Sequence, residues 1–362
     1  MPQGEVFTCC SRWEIHAARS VRSMKIKILC TLGPASLRGD VIRALDERGV
    51  DLFRINLSHT PPEAVEPAIT LVRRYSSVPI CLDTQGAQVR CGKVADGTLL
   101  RAGDAVELSA EAIEGSAARL TLWPRSVFVS LKAGDLIHVD FDGALLQVLD
   151  TAEASARAVV LEGGSVKSNR AVTIDPAPQL APITDMDTRA IEIGLRMGIR
   201  HVALSFASSA ADVDLLRALI PEDSTLISKI ESRAGVRNRD EIIDASDAVL
   251  IDRGDLSREV PLEYVPFYQK AIVRQANRWN RPVYVATNLL ESMVTKRQPT
   301  IAEMNDIANT LLDGVHGLVL AAETAVGVDP IGTVDAVVRC VKAFEHTSMG
   351  ALLEEDRLSR SV

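Results

Sequence analysis

Short runs of apolar, often β-branched residues alternate with longer amphipathic segments along most of this chain. We interpret eight of these runs as strands, at 26–32, 51–57, 78–83, 201–206, 225–230, 248–252, 282–286 and 317–320. Most are followed by a segment of helical periodicity, for example 41–47, 184–197 and 262–279. Parallel strands need crossover connections, which are usually helices. The alternation therefore predicts an α/β fold, a closed (β/α)8 TIM barrel, with an open doubly wound sheet as the alternative.

One connection departs from this rhythm. Between residues 91 and 171 the helical period disappears, and turns such as Gly103-Asp104 and Gly134-Asp135 separate Val- and Leu-rich runs. This pattern predicts a small all-β domain, 91–171, inserted after the third strand of a barrel formed by 24–90 and 172–362. Because loops that follow barrel strands lie at the catalytic face, we expect the insertion to act as a lid.

Composition excludes several classes of protein. Aromatic residues are only 4% and the formal net charge is -8, so the core is aliphatic and a nucleic-acid partner is not expected. The six cysteines form no C-x-x-C pair, and no run of eighteen apolar residues occurs, which predicts a cytoplasmic protein without zinc, disulfides or a membrane span. Residues 1–23 are interpreted as an N-terminal extension, for which a disordered state is considered, and a transit peptide is the weaker alternative.

Polar side chains follow the predicted strands where each strand ends. In a (β/α)8 barrel the carboxyl ends of the strands carry the active site. The polar residues at these ends are Arg54, Asn56, Ser58, His59, Asp83, Thr84, Arg90, Lys229, Glu231, Arg253, Asp255, Thr287, Glu323 and Thr324.

Lys229 and Glu231 are two residues apart and therefore point to the same side of their strand. A salt bridge that closes the strand end is one interpretation. Asp255 follows Gly254, and together with Glu231 it offers two carboxylates of the kind that bind Mg²⁺ or Mn²⁺. A lysine beside such a cation can stabilise charge on a transferring phosphoryl group or on an enolate oxygen.

A second oxygen-rich group consists of Asn56, Ser58, Asp83 and Thr84. These side chains suit a monovalent cation, but capping of loop backbone is the better interpretation from the residues alone.

Three arginines, Arg54, Arg90 and Arg253, offer the planar guanidinium groups that a small anionic substrate requires. Ordinary surface pairing is the alternative for each of them. His59 stands alone after its strand, and a structural role is the simpler interpretation.

Taken together, these segments resemble the pyruvate kinase family across nearly all of residues 25–346. The similar motifs are CTLGPAS at 30–36, RINLSH at 54–59, DTQG at 83–86 with Arg90, ISKIE at 227–231, RGDL at 253–256, AT at 286–287 and ETA at 323–325. The family fold is a (β/α)8 barrel with a β-barrel lid after the third strand. The implied reaction transfers the phosphoryl group of phosphoenolpyruvate to ADP and then protonates enolpyruvate.

The resemblance also implies roles for individual residues. Lys229 would stabilise the phosphoryl group in transfer, Glu231 and Asp255 would hold Mg²⁺ or Mn²⁺, and Thr287 would lie near the enolate. K⁺ would lie among Asn56, Ser58, Asp83 and Thr84. The residues implied in substrate or nucleotide binding are Arg54, His59, Arg90, Arg170, Asp252, Arg253, Gly254, Asp255 and Thr287. A homodimer formed through the barrel is a further expectation.

Departures from the family pattern leave alternatives open. Asp252 replaces a small residue in the wall of the pyruvate pocket, and Gln88 replaces an acidic residue near the monovalent site, so K⁺ dependence is undecided. An ionised Asp252 about 4 Å from a substrate carboxylate would cost roughly 4 kcal/mol at an effective dielectric of 20. That cost corresponds to about a thousandfold loss of affinity for the substrate. The chain ends near the eighth helix of the barrel, so we do not expect the effector control that the family's C-terminal domain provides.

Three hypotheses follow. The favoured one is a phosphotransferase of the pyruvate kinase type, because Lys229, Glu231, Asp255 and Thr287 are all present. The second is a Mg²⁺-dependent enzyme of related 2-oxo acid chemistry, another enol kinase or an aldolase-type lyase, with a pocket changed at Asp252. The third is a non-catalytic binding protein, against which the intact metal ligands argue.

Overall fold

The computed structural model describes residues 25–140 and 143–346. The N-terminal extension predicted at 1–23 and the last part of the predicted barrel segment, 347–362, lie outside the described residues.

The helices and strands follow one another in three groups. The chain begins with β1 (Lys27–Leu32), α1 (Gly39–Glu47), β2 (Leu52–Asn56), α2 (Pro62–Tyr75) and β3 (Ile80–Asp83). It continues with β4 (Val89–Cys91), β5 (Leu99–Leu100), β6 (Ala105–Ser109), β7 (Arg119–Trp123), α3 (Val127–Ser130), β8 (Leu136–Val139), β9 (Ala144–Ala152), β10 (Ser155–Glu162), β11 (Gly164–Ser165) and β12 (Ala171–Asp175). The third group is α4 (Asp185–Arg196), β13 (His201–Leu204), α5 (Ala210–Arg217), β14 (Thr225–Ile230), α6 (Arg233–Arg237), α7 (Arg239–Ala245), β15 (Ala248–Asp252), α8 (Arg253–Glu259), a 3-10 turn (Leu262–Tyr264), α9 (Val265–Arg278), β16 (Val283–Ala286), a 3-10 turn (Glu291–Val294), α10 (Ile301–Leu312), β17 (Gly317–Leu320), α11 (Ala322–Ala325) and α12 (Pro330–His346).

Eight parallel strands of the described chain close into a barrel in the order β1-β17-β16-β15-β14-β13-β3-β2. The predicted (β/α)8 architecture is therefore confirmed, and the open sheet is wrong. Closure places the carboxyl ends of all eight strands around one mouth, so that Asn56 of β2 lies beside Asp83 of β3 in the register.

Burial explains why these runs become barrel strands. Every described residue of β3, β15, β16 and β17 is buried, as expected for strands covered on both faces. Aliphatic side chains fill the space between strands and helices, and a smaller group that includes Leu29, Ile227 and Leu250 fills the barrel interior. Several helices begin at a capping box, such as that of Thr184 and Asp187 before α4.

The segment after β3 folds as a second closed barrel, in the order β10-β6-β7-β4-β12-β8-β9, with its own apolar core. We call it the small barrel. The predicted all-β insertion is confirmed. Its first and last strands pair with each other, Arg90 opposite Ala171 and Val89 opposite Val172, so the small barrel extends a few residues past both ends of 91–171.

None of the described helices is both long enough and apolar enough to cross a membrane.

Candidate active site

Strand β14 delivers Lys229 and Glu231 to the mouth of the barrel as a buried ion pair. Lys229 is 4% exposed and Glu231 is fully buried, and Lys229 Nζ lies 3.0 Å from Glu231 Oε2. The same ammonium donates to Ser205 Oγ at 3.1 Å and lies 3.6 Å from Asp83 Oδ1 and 3.7 Å from Asp252 Oδ2. The salt bridge that the spacing suggested is therefore one part of a larger buried cluster.

The electrostatics of this cluster keep Lys229 charged. Burial alone lowers the pKa of a lysine, but the carboxylates of Asp83, Glu231 and Asp252 outweigh burial and raise it. The pKa of Glu231 is raised to about 8, first by burial; Lys229 opposes the rise, and Asp252 and Asp255 add to it. The cluster thus holds a permanent cation beside a carboxyl group that ionises with difficulty.

Three carboxylates meet at the ends of β14 and β15. One oxygen each from Glu231, Asp252 and Asp255 lies within 4.8 Å of the others. Carboxylate oxygens at such separations are the donor set that Mg²⁺ and Mn²⁺ prefer, so the residues present fit a divalent cation. Glu231 and Asp255 are the predicted pair, and Asp252 stands beside them.

Asp252 ends β15 and is held firmly. Its Oδ1 accepts hydrogen bonds from Gly254 N at 3.2 Å, Asp255 N at 3.5 Å and Thr287 Oγ1 at 2.9 Å. Burial raises its pKa, but Lys229, Arg54 and the Thr287 hydroxyl outweigh burial and lower it. Asp252 is therefore an ionised carboxylate inside the pocket.

Thr287 follows β16 with a φ of +65°, which is an outlier for a β-branched residue. The guanidinium of Arg253 fixes this loop, because Nη2 donates to the Thr287 carbonyl at 2.8 Å and to the Asn288 carbonyl at 2.9 Å. Nη2 also lies 2.8 Å from Asp306 Oδ2. These contacts make Arg253 a support for Thr287, while its predicted contact with substrate stays a prediction.

Arg54 enters the site from β2. Its side chain is 4% exposed, and Nε lies 3.5 Å from Asp83 Oδ2. Among the described residues, Nε and Nη1 have no hydrogen-bond partner. Buried donors without partners are costly, so this guanidinium is poised for the oxygens of an anionic ligand.

The remaining predicted binding residues, His59, Arg90 and Arg170, gather where the small barrel meets the main barrel. The pKa of His59 lies below its ordinary value, because desolvation and the charges of Arg90, Arg170 and Arg54 disfavour its protonated form. Arg90 donates to the Asn169 carbonyl at 3.0 Å, and Arg170 pairs with Asp140 at 3.4 Å. The structure therefore brings these predicted residues together at one rim.

The oxygen-rich group after β2 and β3 makes local backbone contacts. Asn56 Oδ1 accepts from Ser58 N, and Thr84 Oγ1 accepts from Ser205 N, both at 2.9 Å. These are the capping contacts that the residues alone suggested. Gln88 Nε2 lies 3.4 Å from Asp255 Oδ1, so this side chain faces the acidic group formed by Glu231, Asp252 and Asp255.

Sequence reasoning missed two residues that follow β13. Ser205 Oγ accepts from Lys229 and donates to the Thr84 carbonyl at 2.6 Å. Phe206, with a φ of +53°, directs its backbone N–H to Glu231 Oε1 at 2.7 Å. A serine in a loop and a backbone N–H carry no distinctive sequence signal, although their position at a strand end is the one clue available.

Comparison with known proteins agrees with this geometry. The family model described as "Pyruvate kinase, barrel domain" matches residues 23–334. The chain is 37% identical over 336 residues to the pyruvate kinase of Mycobacterium tuberculosis (strain H37Rv), covering 90% of this chain and 71% of the relative. It is 35% identical to the pyruvate kinase of Corynebacterium glutamicum, covering 89% and 70%, and 34% identical to that of Thermococcus litoralis, covering 90% and 70%.

Proposed function

Because the chain belongs to the pyruvate kinase family, we propose that it transfers the phosphoryl group of phosphoenolpyruvate to ADP, giving pyruvate and ATP. One observation carries the proposal: two buried cations, Lys229 and Arg54, face the acidic group of Glu231, Asp252 and Asp255 at the mouth of the barrel. Phosphoryl transfer depends on positioned charge more than on covalent chemistry, and this arrangement supplies both signs of charge.

The chain's own residues divide the work. The Lys229 ammonium stabilises negative charge on the phosphoryl group as it passes between oxygens. The unsatisfied N–H groups of Arg54 bind non-bridging oxygens of that group. Thr287 presents its hydroxyl beside Asp252, where the enolate carbon is protonated, and Arg253 keeps that hydroxyl in place.

The cations of the family fit the acidic residues. Glu231 and Asp255 would hold Mg²⁺ or Mn²⁺, which stabilises the enolate and phosphoryl oxygens when bound. Asn56, Ser58, Asp83 and Thr84 would hold K⁺. The family generally uses both kinds of cation.

The nucleotide would lie against the rim formed by His59, Arg90 and Arg170, between the two barrels. In this proposal the small barrel is a lid that closes on ADP. A cytoplasmic location and a barrel-mediated homodimer stay predictions.

Asp252 favours a second candidate, a Mg²⁺-dependent enzyme of related 2-oxo acid or enolate chemistry. Its carboxylate accepts from Gly254 N and Thr287 Oγ1, so a substrate carboxylate entering the pocket has to share these donors.

The test is pyruvate release from phosphoenolpyruvate and ADP with Mg²⁺ or Mn²⁺, with and without K⁺. We expect Lys229→Met to lower kcat at least about a hundredfold, the scale seen when one preorganised electrostatic donor is removed. Lys270→Met is the matched control, because Lys270 pairs with Asp313 on the outer helices. No release by the wild type would refute the proposed substrates and favour the second candidate.

A further inference from the structure

We propose that Asp252 is a third ligand of the divalent cation, in addition to Glu231 and Asp255. The inference takes the identity of the cation from the proposed function. A two-carboxylate site leaves most positions around Mg²⁺ to water and to substrate oxygens. A third carboxylate supplies from the protein an oxygen that such a site otherwise takes from those sources.

The geometry supports three ligands. Among the described residues, the three carboxylates are the one group of three or more His, Cys, Asp or Glu side chains that could hold a metal ion, with one oxygen of each within 4.8 Å of the others. Oxygens that share one octahedral cation with bonds near 2.1 Å are at most about 4.2 Å apart, so small side-chain adjustments complete the site.

Each carboxylate is already oriented through one oxygen, as ligating carboxylates generally are. Phe206 N donates to Glu231 Oε1, Gly254 N and Thr287 Oγ1 donate to Asp252 Oδ1, and Gln88 Nε2 approaches Asp255 Oδ1. The second oxygen of Asp252 lies 3.7 Å from Lys229 Nζ, beyond hydrogen-bond distance. Lys229 therefore leaves this oxygen available to a cation.

The balance of buried charges also supports a divalent cation at this site. When Glu231 is ionised, the buried carboxylates of Asp83, Glu231 and Asp252 outnumber the buried cations of Arg54 and Lys229 by one. Asp255 adds another at the more exposed side, where Arg258 Nη1 lies 3.4 Å away. An excess of buried carboxylate is unfavourable without a cation, and a divalent ion relieves it.

The experiment titrates the 362-residue chain with Mn²⁺ alone, by calorimetry and by the electron paramagnetic resonance of free Mn²⁺. Asp252→Asn keeps the size and the acceptor for Gly254 N, and Asp252→Ala removes the side chain. Both should weaken Mn²⁺ binding at least about tenfold, because removal of outer-sphere partners alone costs that much. Broadening by ¹⁷O-labelled water should show one more water on Mn²⁺ in Asp252→Ala, which keeps no side-chain oxygen at this position.

Glu259→Gln is the matched control, since it removes one negative charge from the other end of α8. Binding by both Asp252 variants within twofold of the wild type would overturn the inference. The inference would also be overturned if the number of waters on Mn²⁺ did not change, or if Glu259→Gln weakened Mn²⁺ binding as much as the Asp252 variants do. Failure of the wild type to bind Mn²⁺ would overturn it as well. The Mn²⁺ titration contains no substrate, so its result does not depend on which substrates the protein uses. If Mn²⁺ binds through Asp252 but the assay with phosphoenolpyruvate and ADP releases no pyruvate, the proposed substrates are refuted and the third ligand is not.

Discussion

The raised pKa of Glu231 predicts that this residue destabilises the metal-free fold at neutral pH. Its folded pKa, about 8, lies above the ordinary 4.5, so the folded protein binds a proton that the unfolded chain releases. The stability that this bound proton contributes is fully present below pH 4.5 and is lost as pH rises to about 8. The gap between a folded pKa of about 8 and the ordinary 4.5 sets an upper bound on the order of 5 kcal/mol for this effect. Glu231→Gln removes this dependence and should stabilise the fold increasingly between pH 5 and 8.

Urea denaturation midpoints of wild type and Glu231→Gln, measured in EDTA at unit pH intervals, test this expectation. The matched control is Glu303→Gln, whose effect has the opposite pH trend. Although burial raises the pKa of Glu303, hydrogen bonds from Thr300 and Ser292 outweigh burial and lower it. Glu303 therefore stabilises the fold above its unfolded pKa, and that stability is lost as pH falls. A Glu231→Gln advantage that is constant with pH, or that shrinks as pH rises, would refute the reasoning.

Two further predictions concern the loops at the mouth of the barrel. Gly86 has a φ of +69°, and an added Cβ would lie 2.6 Å from the Ser205 carbonyl oxygen. Gly86→Ala should therefore lower the free energy of unfolding by about 2 to 4 kcal/mol, as measured by denaturation. Gly97→Ala, where an added Cβ meets open space, should lower it by about 1 to 2 kcal/mol. Equal losses in the two variants would contradict the steric argument. Arg253→Met should lower kcat at least about tenfold with a smaller change in KM, because it releases the loop that holds Thr287; an unchanged kcat in steady-state assays would show that the loop holds its geometry alone.

The architecture was predictable because its signals are local. Strand and helix periods depend on residues two to four positions apart, and the loss of helical period after β3 marked the small barrel. Closure followed from counting strands. The domain boundary was less accessible, because Val89 and Val172 pair across more than eighty residues and no local signal records that pairing.

The site was predictable where a titratable side chain ends a strand. Lys229, Glu231 and Asp255 gather as their positions implied. Contributions from the backbone were not predictable, because the N–H of Phe206 reaches Glu231 only through a left-handed φ that a phenylalanine does not suggest. The strain at such positions is tolerated where surrounding contacts determine the conformation, as Arg253 does for the loop after β16.

The structure changes how Asp252 acts on a carboxylate substrate. From the sequence, its effect is bare repulsion between two like charges. In the fold, Lys229 and three hydrogen-bond donors offset part of its charge, and two of those donors are Gly254 N and Thr287 Oγ1. The principal cost to a carboxylate substrate is therefore competition for donors, which a neutral asparagine at this position would share in part. If donor competition dominates, then at Mn²⁺ concentrations that saturate each variant Asp252→Ala should lower the KM for phosphoenolpyruvate far more than Asp252→Asn, whereas equal effects would return the explanation to charge.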